Sequence, residues 1–254
     1  MDAIRLDVAR LLDGLDRDLA RLRAVVAGNP GAPVPTCPQW TLADLARHVA
    51  DLYQNVVVRR LRMHAATPRQ DLAAEEPVAA LDRCYAAMTT EFADRDPDEH
   101  VGREPHETVR FWIRRMAHET AIHRVDAELA GGRAVTPIPQ DLATDGLDEL
   151  LIEFLETVTR LFPEEFADRL SDWAGRQVLV AAGDVAWRVT VRPDGAEVTS
   201  EVGFVAAAAT VRAAPDVLLR WLYNRDGGDG VRIDGDGDLV VRLRRLLTAV
   251  TNTA

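Results

Sequence analysis

Apolar residues recur at close to helical spacing from the start of the chain. Ile4, Leu6, Val8, Leu11, Leu12, Leu15, Leu19, Leu22, Val25 and Val26 trace one face of a helix that Gly28-Asn29-Pro30 ends. A Pro/Gly-rich loop (NPGAPVPTCPQW) separates it from a second stripe, Leu42, Leu45, Val49, Leu52 and Val56, which runs on towards Met63. Thr41 opens that stripe with Asp44 three residues on, a capping-box pattern in which Asp replaces the usual Glu or Gln. A third helix is predicted over 78–92, after Pro77 and before Pro97, and a fourth over 107–129, stopped by Gly131-Gly132. Four helices of about 15–25 residues with loops between them make a bundle. A fifth amphipathic helix, 145–162, packs on the bundle or leads out of it.

The texture changes after about Arg169. Short β-branched runs at 177–181, 186–191 and 196–200 predict strands, with Arg192-Pro193-Asp194-Gly195 as a hairpin turn, and 205–211 adds a further strand. Pro215 opens a helix over 216–223, a Gly/Asp loop follows, and 238–250 reads as a last helix. The expected architecture is two domains: an all-α four-helix bundle over 1–168 and a small α+β domain over 169–254. The boundary falls near 165–172.

Composition narrows the function. Of 254 residues 47% are hydrophobic, enough for a sizeable core, and 41 acids against 30 bases give a net charge of −11. That balance argues against a nucleic-acid binder, which needs a basic face. The longest apolar run, Val202 to Val211, is too short to span a bilayer, and MDAIRLDVAR lacks the pattern of a signal peptide. A cytoplasmic protein is expected. Every basic side chain among the Lys and Arg is Arg, which excludes Schiff-base lysine chemistry and a Walker-A loop. The two serines, Ser171 and Ser200, lie outside any G-x-S-x-G nucleophile elbow. Cys37 and Cys84 form no CxxC pair and are expected as reduced thiols. The Arg-, Ala- and Val-rich usage suggests a high-GC bacterial source.

The histidines carry the candidate chemistry. His118-Glu119-Thr120-Ala121-Ile122-His123 is not H-E-x-x-H, because the second His falls one residue late. Glu119 and His123, at i and i+4, lie only about 40° apart on a helix surface, whereas His118 and His123 are about 140° apart. Glu119 and His123 can share a metal that His118 cannot easily join. The third ligand must come from another helix, and His48, beside Val49 and three residues after Leu45, is the best placed; His64 falls on another face. A His, His, Glu set is a common catalytic zinc site with an open fourth position. Asp126, at i+3 from His123, is suited to orient that imidazole. An i, i+4 Glu/His pair is also common on solvated helix faces, so spacing alone leaves both readings open. His100 and His106 are expected in a solvated loop. Asp234-Gly235-Asp236-Gly237-Asp238 starts like an EF-hand loop, but Leu239 and Arg245 stand where Gly and Glu are needed, so a solvated turn is the better reading.

The string Cys-Pro-x-Trp-Thr-Leu-Ala-Asp-Leu-Ala-x-His (Cys37 to His48), followed by His-Glu-x-x-x-His-Arg-x-Asp-Ala-Glu (His118 to Glu128), resembles the mycothiol-dependent maleylpyruvate isomerase family. Pro-Asp-x-Leu-Leu-x-Trp-Leu-x-x-Arg (Pro215 to Arg225) is similar to the small C-terminal domain of that family. The resemblance implies a DinB-like four-helix bundle followed by a sterol-carrier-like α+β domain. It puts a divalent metal, usually zinc, on His48, Glu119 and His123, with mycothiol as the thiol cosubstrate. It makes Arg225 the first candidate for handling the substrate, although Asn224 stands where the family usually has glycine.

Three functions are open to that set. The first is a metal- and mycothiol-dependent isomerase or S-transferase that adds an activated thiolate to an electrophilic small molecule, without nucleic-acid or membrane partners. The second is a metal-dependent hydrolase acting through bound water. The third is a non-catalytic metal- or thiol-binding regulatory module. An intact triad favours catalysis over the third, and a requirement for thiol separates the first two.

Overall fold

Asp7 caps the first helix, α1 (Val8–Gly28), its carboxylate accepting the Arg10 N–H at 2.7 Å. The computed structural model describes residues 4–62, 68–102, 107–171, 173, 175–201 and 206–251. The chain divides into two compact units, Asp7–Thr136 and Met1–Leu6 with Pro137–Ala254. Ile4 and Leu6 therefore do not extend α1. The Leu6 N–H instead donates to Asp145 at 2.7 Å, within the second unit.

In the helical unit a short antiparallel hairpin, β1 (Pro33–Val34) and β2 (Cys37–Thr41), leads into α2 (Leu42–Asp51). The capping box is present in full: Thr41 accepts from the Asp44 N–H, and the Asp44 carboxylate accepts from the Thr41 N–H. A π-helical stretch (Leu52–Val58) and a short α3 (Arg59–Leu61) come next, then α4 (Pro77–Ala93) and α5 (Val109–Ala130). The buried stripe continues through Tyr53 and Val57 to Leu61, not through Leu52 and Val56, which are half-buried at the π-helical stretch. Met63 and His64 lie outside the described residues.

Helix α1 packs chiefly on α5, and α2 on α4 and α5. The α1–α5 seam buries a charged cluster as well as Leu15, Leu22 and Val26. Arg124, 1% exposed, donates to Asp18 at 2.8 Å, to Glu128 at 2.9 Å and to the Thr136 carbonyl at 2.5 Å. Glu128 in turn accepts the Thr136 N–H and hydroxyl at 2.8 and 3.0 Å. Burial pushes Asp18 above the usual carboxylate range despite its guanidinium partner. Helix α5 ends in a Schellman-type turn, with Gly132 at φ +62° and Arg133 N–H bonded to the Glu128 carbonyl.

The second unit begins ahead of the boundary that the change in sequence texture suggests. Helix α6 (Gln140–Glu149), a π-helical stretch (Leu150–Glu156) and α7 (Thr157–Leu161) form one long rod, extending the predicted fifth helix towards its N-terminus. A 3₁₀ turn (Pro163–Phe166) and α8 (Ala167–Ser171) lead to the sheet. Side-chain bonds tie the rod to that sheet. The Trp187 indole N–H donates to the buried Asp148 at 3.1 Å, and the Ala196 N–H to the Thr159 hydroxyl at 2.9 Å.

The sheet contains β3 (Gln177–Ala182), β4 (Val185–Arg192), β5 (Gly195–Glu201), β6 (Ala209–Ala213) and β7 (Arg232–Gly235), in the order β5-β4-β3-β6-β7. Only the β3–β6 pair among them is parallel. The β4–β5 hairpin closes with Arg192 opposite Gly195, as its turn residues predict. Strand β7 replaces part of the expected solvated turn. Its four residues are all exposed, so it has no hydrophobic alternation to betray it, and β6 supplies its pairing. Helices α9 (Pro215–Leu222) and α10 (Gly237–Thr251) complete the unit, α9 against α6 and α10 against β6 and the second π-helical stretch. Among the described residues, no helix is long and apolar enough to cross a membrane, and Cys37 and Cys84 are not joined by a disulfide.

Candidate metal centre

Helices α2 and α5 bring together His48, Glu119 and His123. One ligand atom from each lies within 4.8 Å of the others. The i, i+4 spacing on α5 sets His123 Nε2 3.0 Å from Glu119 Oε1, and His48 Nε2 reaches the same oxygen at 3.7 Å. The two imidazoles meet edge to face, their centroids 5.0 Å apart at 83°.

A carboxylate buried beneath the site sets the tautomer of His123. Asp126, whose side chain is 0% exposed, receives the Thr36 hydroxyl at 2.5 Å on one oxygen and faces His123 Nδ1 at 3.0 Å with the other. An ionised Asp126 only accepts, so Nδ1 carries a proton, and Nε2 is the nitrogen that faces the Glu119 oxygen 3.0 Å away, where a proton or a metal cation can satisfy both groups. Burial, reinforced by the neighbouring His123, pulls His48 down to about 4, so the His48 imidazole is neutral at neutral pH. Two imidazoles and one carboxylate are the donor types that zinc and similar ions take, and donors around a tetrahedral zinc sit roughly 3.3 Å apart. The residues fit a divalent metal.

Three side chains around this cluster are not singled out as site residues by the sequence reasoning. The β1–β2 hairpin delivers Thr36 to Asp126 and places the half-buried Trp40 ring 4.8 Å from His48, centroid to centroid. Arg115, one turn before Glu119 on α5, forms an ion pair with Glu119 Oε2. Arg115 has a readable signal, since an i, i+4 Arg–Glu pair shares a helix face. Nothing local in the Pro-rich loop announces that Thr36 reaches α5. His118 is buried but outside the cluster, as its angular position on the helix requires. His100 is exposed and bridges Thr108, and His106 lies outside the described residues.

Arg225 belongs to the second unit. It follows α9 in a Schellman turn: the Arg225 N–H bonds the Arg220 carbonyl at 2.7 Å and the Asn224 N–H bonds that of Trp221 at 3.1 Å. Asn224 supplies the left-handed residue at φ +60°, a conformation Asn tolerates better than most side chains, so the turn forms without glycine. The Asn224 carboxamide also bonds Thr248 at 2.8 Å and accepts from Arg244 at 2.6 Å, anchoring α9 to α10. The Arg225 guanidinium donates to the Tyr223 carbonyl at 2.7 Å.

Residues 12–128 match the family model described as the mycothiol maleylpyruvate isomerase N-terminal domain. Two solved structures of a mycothiol-dependent maleylpyruvate isomerase, one of them a histidine-to-alanine mutant, are similar over 90% of this chain and 93% of theirs. The mutant has a TM-score of 0.55 at 16% identity, the other 0.54 at 17%. At these identities the likeness is one of fold: a helical N-terminal region followed by a sheet-containing one. A ubiquinone synthesis protein described as UbiJ-SCP2 matches 46% of this chain and 97% of its own at 19% identity, with a TM-score of 0.32. No curated protein matches the sequence.

Proposed function

We propose, on the premise that this chain belongs through residues 12–128 to the mycothiol maleylpyruvate isomerase N-terminal domain family, that it is a metal- and mycothiol-dependent enzyme. It adds a thiolate to an electrophilic small molecule, as an isomerase or an S-transferase. The observation that carries this reading is the convergence of two imidazoles and one carboxylate within 4.8 Å. In fold terms we read the helical unit as a DinB-like four-helix bundle and the α+β part as sterol-carrier-like.

His48, Glu119 and His123 would hold the ion, and three protein ligands leave a position for a ligand from solution. A divalent metal there supplies Lewis acidity, which favours the thiolate form of a thiol. Asp126, anchored by Thr36, keeps the His123 lone pair on the correct nitrogen. Trp40 shields His48 on its aromatic side. The cosubstrate sulfur then forms a C–S bond to a conjugated carbon while the alkene π pair moves towards the adjoining carbonyl oxygen. The former double bond, now single, rotates. Return of the electron pair expels the thiolate and leaves the trans alkene, with no net redox change. In S-transfer the adduct takes a proton on carbon and leaves. Arg225 is proposed as the partner of an anionic group on the electrophile.

Elemental analysis of the purified protein beside His123→Ala tests this reading, together with a cobalt-substituted sample titrated with thiol. About one metal per chain, lost in the variant, with a spectrum that responds to thiol, is expected. Metal that ignores thiol would point to water-based hydrolysis, and no metal after reconstitution would leave a binding module. An electrophile screen with thiol in catalytic or stoichiometric amounts then separates isomerase from transferase. Arg225→Met is expected to raise KM for an anionic electrophile without changing metal content.

A further inference from the structure

The two oxygens of Glu119 face different partners. Oε1 is turned to His123 at 3.0 Å and His48 at 3.7 Å, while Oε2 is taken by the Arg115 guanidinium. The Arg115 and Glu119 side chains are 13% and 17% exposed, so bulk water and salt screen this pair weakly. We infer that Arg115 is a positioning residue that restricts Glu119 to a single oxygen donor and tunes the charge of the centre to accept one anionic sulfur ligand. This rests on the metal- and thiol-dependent reading above.

A bound divalent ion fixes the protonation of its own ligands: both imidazoles are then neutral and Glu119 is a carboxylate, while Arg115 is a permanent cation on the second Glu119 oxygen. Arg115 thus adds one positive charge beside the ion, and an incoming thiolate gains less when that charge is removed. Freed from Arg115, the second Glu119 oxygen is also available to chelate, which would compete for the position a thiol needs. The two effects act together on the thiol and in the opposite sense on the metal: removing a nearby cation makes the cluster hold a divalent cation as well or better.

That opposition is the test. Wild type, Arg115→Met and Arg115→Lys are loaded with cobalt, and metal affinity is measured by competition with a chromogenic chelator. Binding of 2-mercaptoethanol, a thiol with no charge beyond its sulfur, is read at neutral pH from sulfur-to-cobalt absorption. Arg115→Met is expected to bind the thiol about tenfold more weakly, the size of losing one unit charge in a part-buried site, while its metal affinity is unchanged or tighter. Arg115→Lys, which keeps the charge, is expected to stay within about threefold of wild type for the thiol. Equal thiol affinity in Arg115→Met overturns the inference. So does a joint loss of metal and thiol affinity, which is the mark of a merely structural side chain, and thermal melting of each apo variant identifies it. A wild type that takes up no cobalt defeats the proposed function itself and the inference with it. Wild type that binds both beside an indistinguishable Arg115→Met defeats only the inference.

Discussion

Asp126→Asn tests the tautomer assignment directly. The substitution keeps the volume of a fully buried side chain and replaces one acceptor oxygen with a donor NH₂. Two groups depend on that carboxylate, the Thr36 hydroxyl at 2.5 Å and His123 Nδ1 at 3.0 Å. If the amide oxygen faces His123, the NH₂ turns to the Thr36 oxygen, which can accept, and only the charge is lost. If the NH₂ faces His123, the proton moves to Nε2 and that nitrogen stops being a ligand. Loss of an outer carboxylate behind a metal-binding His costs about ten- to a hundredfold in metal affinity, or about 1.4–2.7 kcal/mol. The expected value lies towards the upper end, because Asp126 sets the tautomer as well as the charge. Chelator competition on the zinc- or cobalt-loaded protein measures it. Thermal unfolding of the apo forms should differ by no more than about 1–3 kcal/mol, the range for one altered buried hydrogen bond. Thr36→Val, which leaves Asp126 charged, should cost less metal affinity than Asp126→Asn. Unchanged metal affinity in a folded Asp126→Asn protein would refute the proposed orientation of His123.

Further outcomes concern the scaffold and its titration. Arg124→Met leaves the Asp18 and Glu128 carboxylates without their shared cation in the α1–α5 seam, and should destabilise the protein by about 3–5 kcal/mol in denaturant titrations; a shift below about 1 kcal/mol would contradict the burial of that cluster. In metal-free protein, His48 is held at about 4 in the fold against an ordinary value of 6.5. The unfolded chain therefore takes up a proton first as pH drops. The stability contributed is present above 6.5 and lost as pH falls from 6.5 through 4, with a slope of at most one proton, and His48→Gln should flatten that window in pH-dependent melting. At Asn224, alanine loses both the tolerance for φ +60° and the two side-chain bonds to α10, for an expected cost of about 1–2 kcal/mol; glycine keeps the turn and should cost less, so equal losses would show that the bonds, not the backbone, dominate.

Much of the helical unit was legible from residues close together in sequence. The Thr41/Asp44 cap, the α4 span after Pro77 and the Gly131-Gly132 stop arise from contacts made within one or two turns. Leu52 and Val56 were expected on the buried face because periodicity presumes an unbroken α-helix, and the π-helical stretch breaks that assumption. The second unit begins at Pro137 although the sequence changes texture only near Arg169, because α6 reads as one more bundle helix. Asp148 on α6 and Thr159 on α7 find their partners in Trp187 and Ala196, on strands far along the chain.

Spacing along the chain is enough to put Glu119 and His123 on one face and His118 on another, since helical geometry places each side chain by its position alone. It also put His48 forward as a partner. Long-range packing is what brings His48 on α2 to the same carboxylate oxygen, sets Thr36 of a proline-rich hairpin against Asp126, and leaves the other oxygen of Glu119 to Arg115. Local rules act over a turn of helix, whereas the charge, tautomer and open side of a site depend on which side chains packing brings in from remote segments.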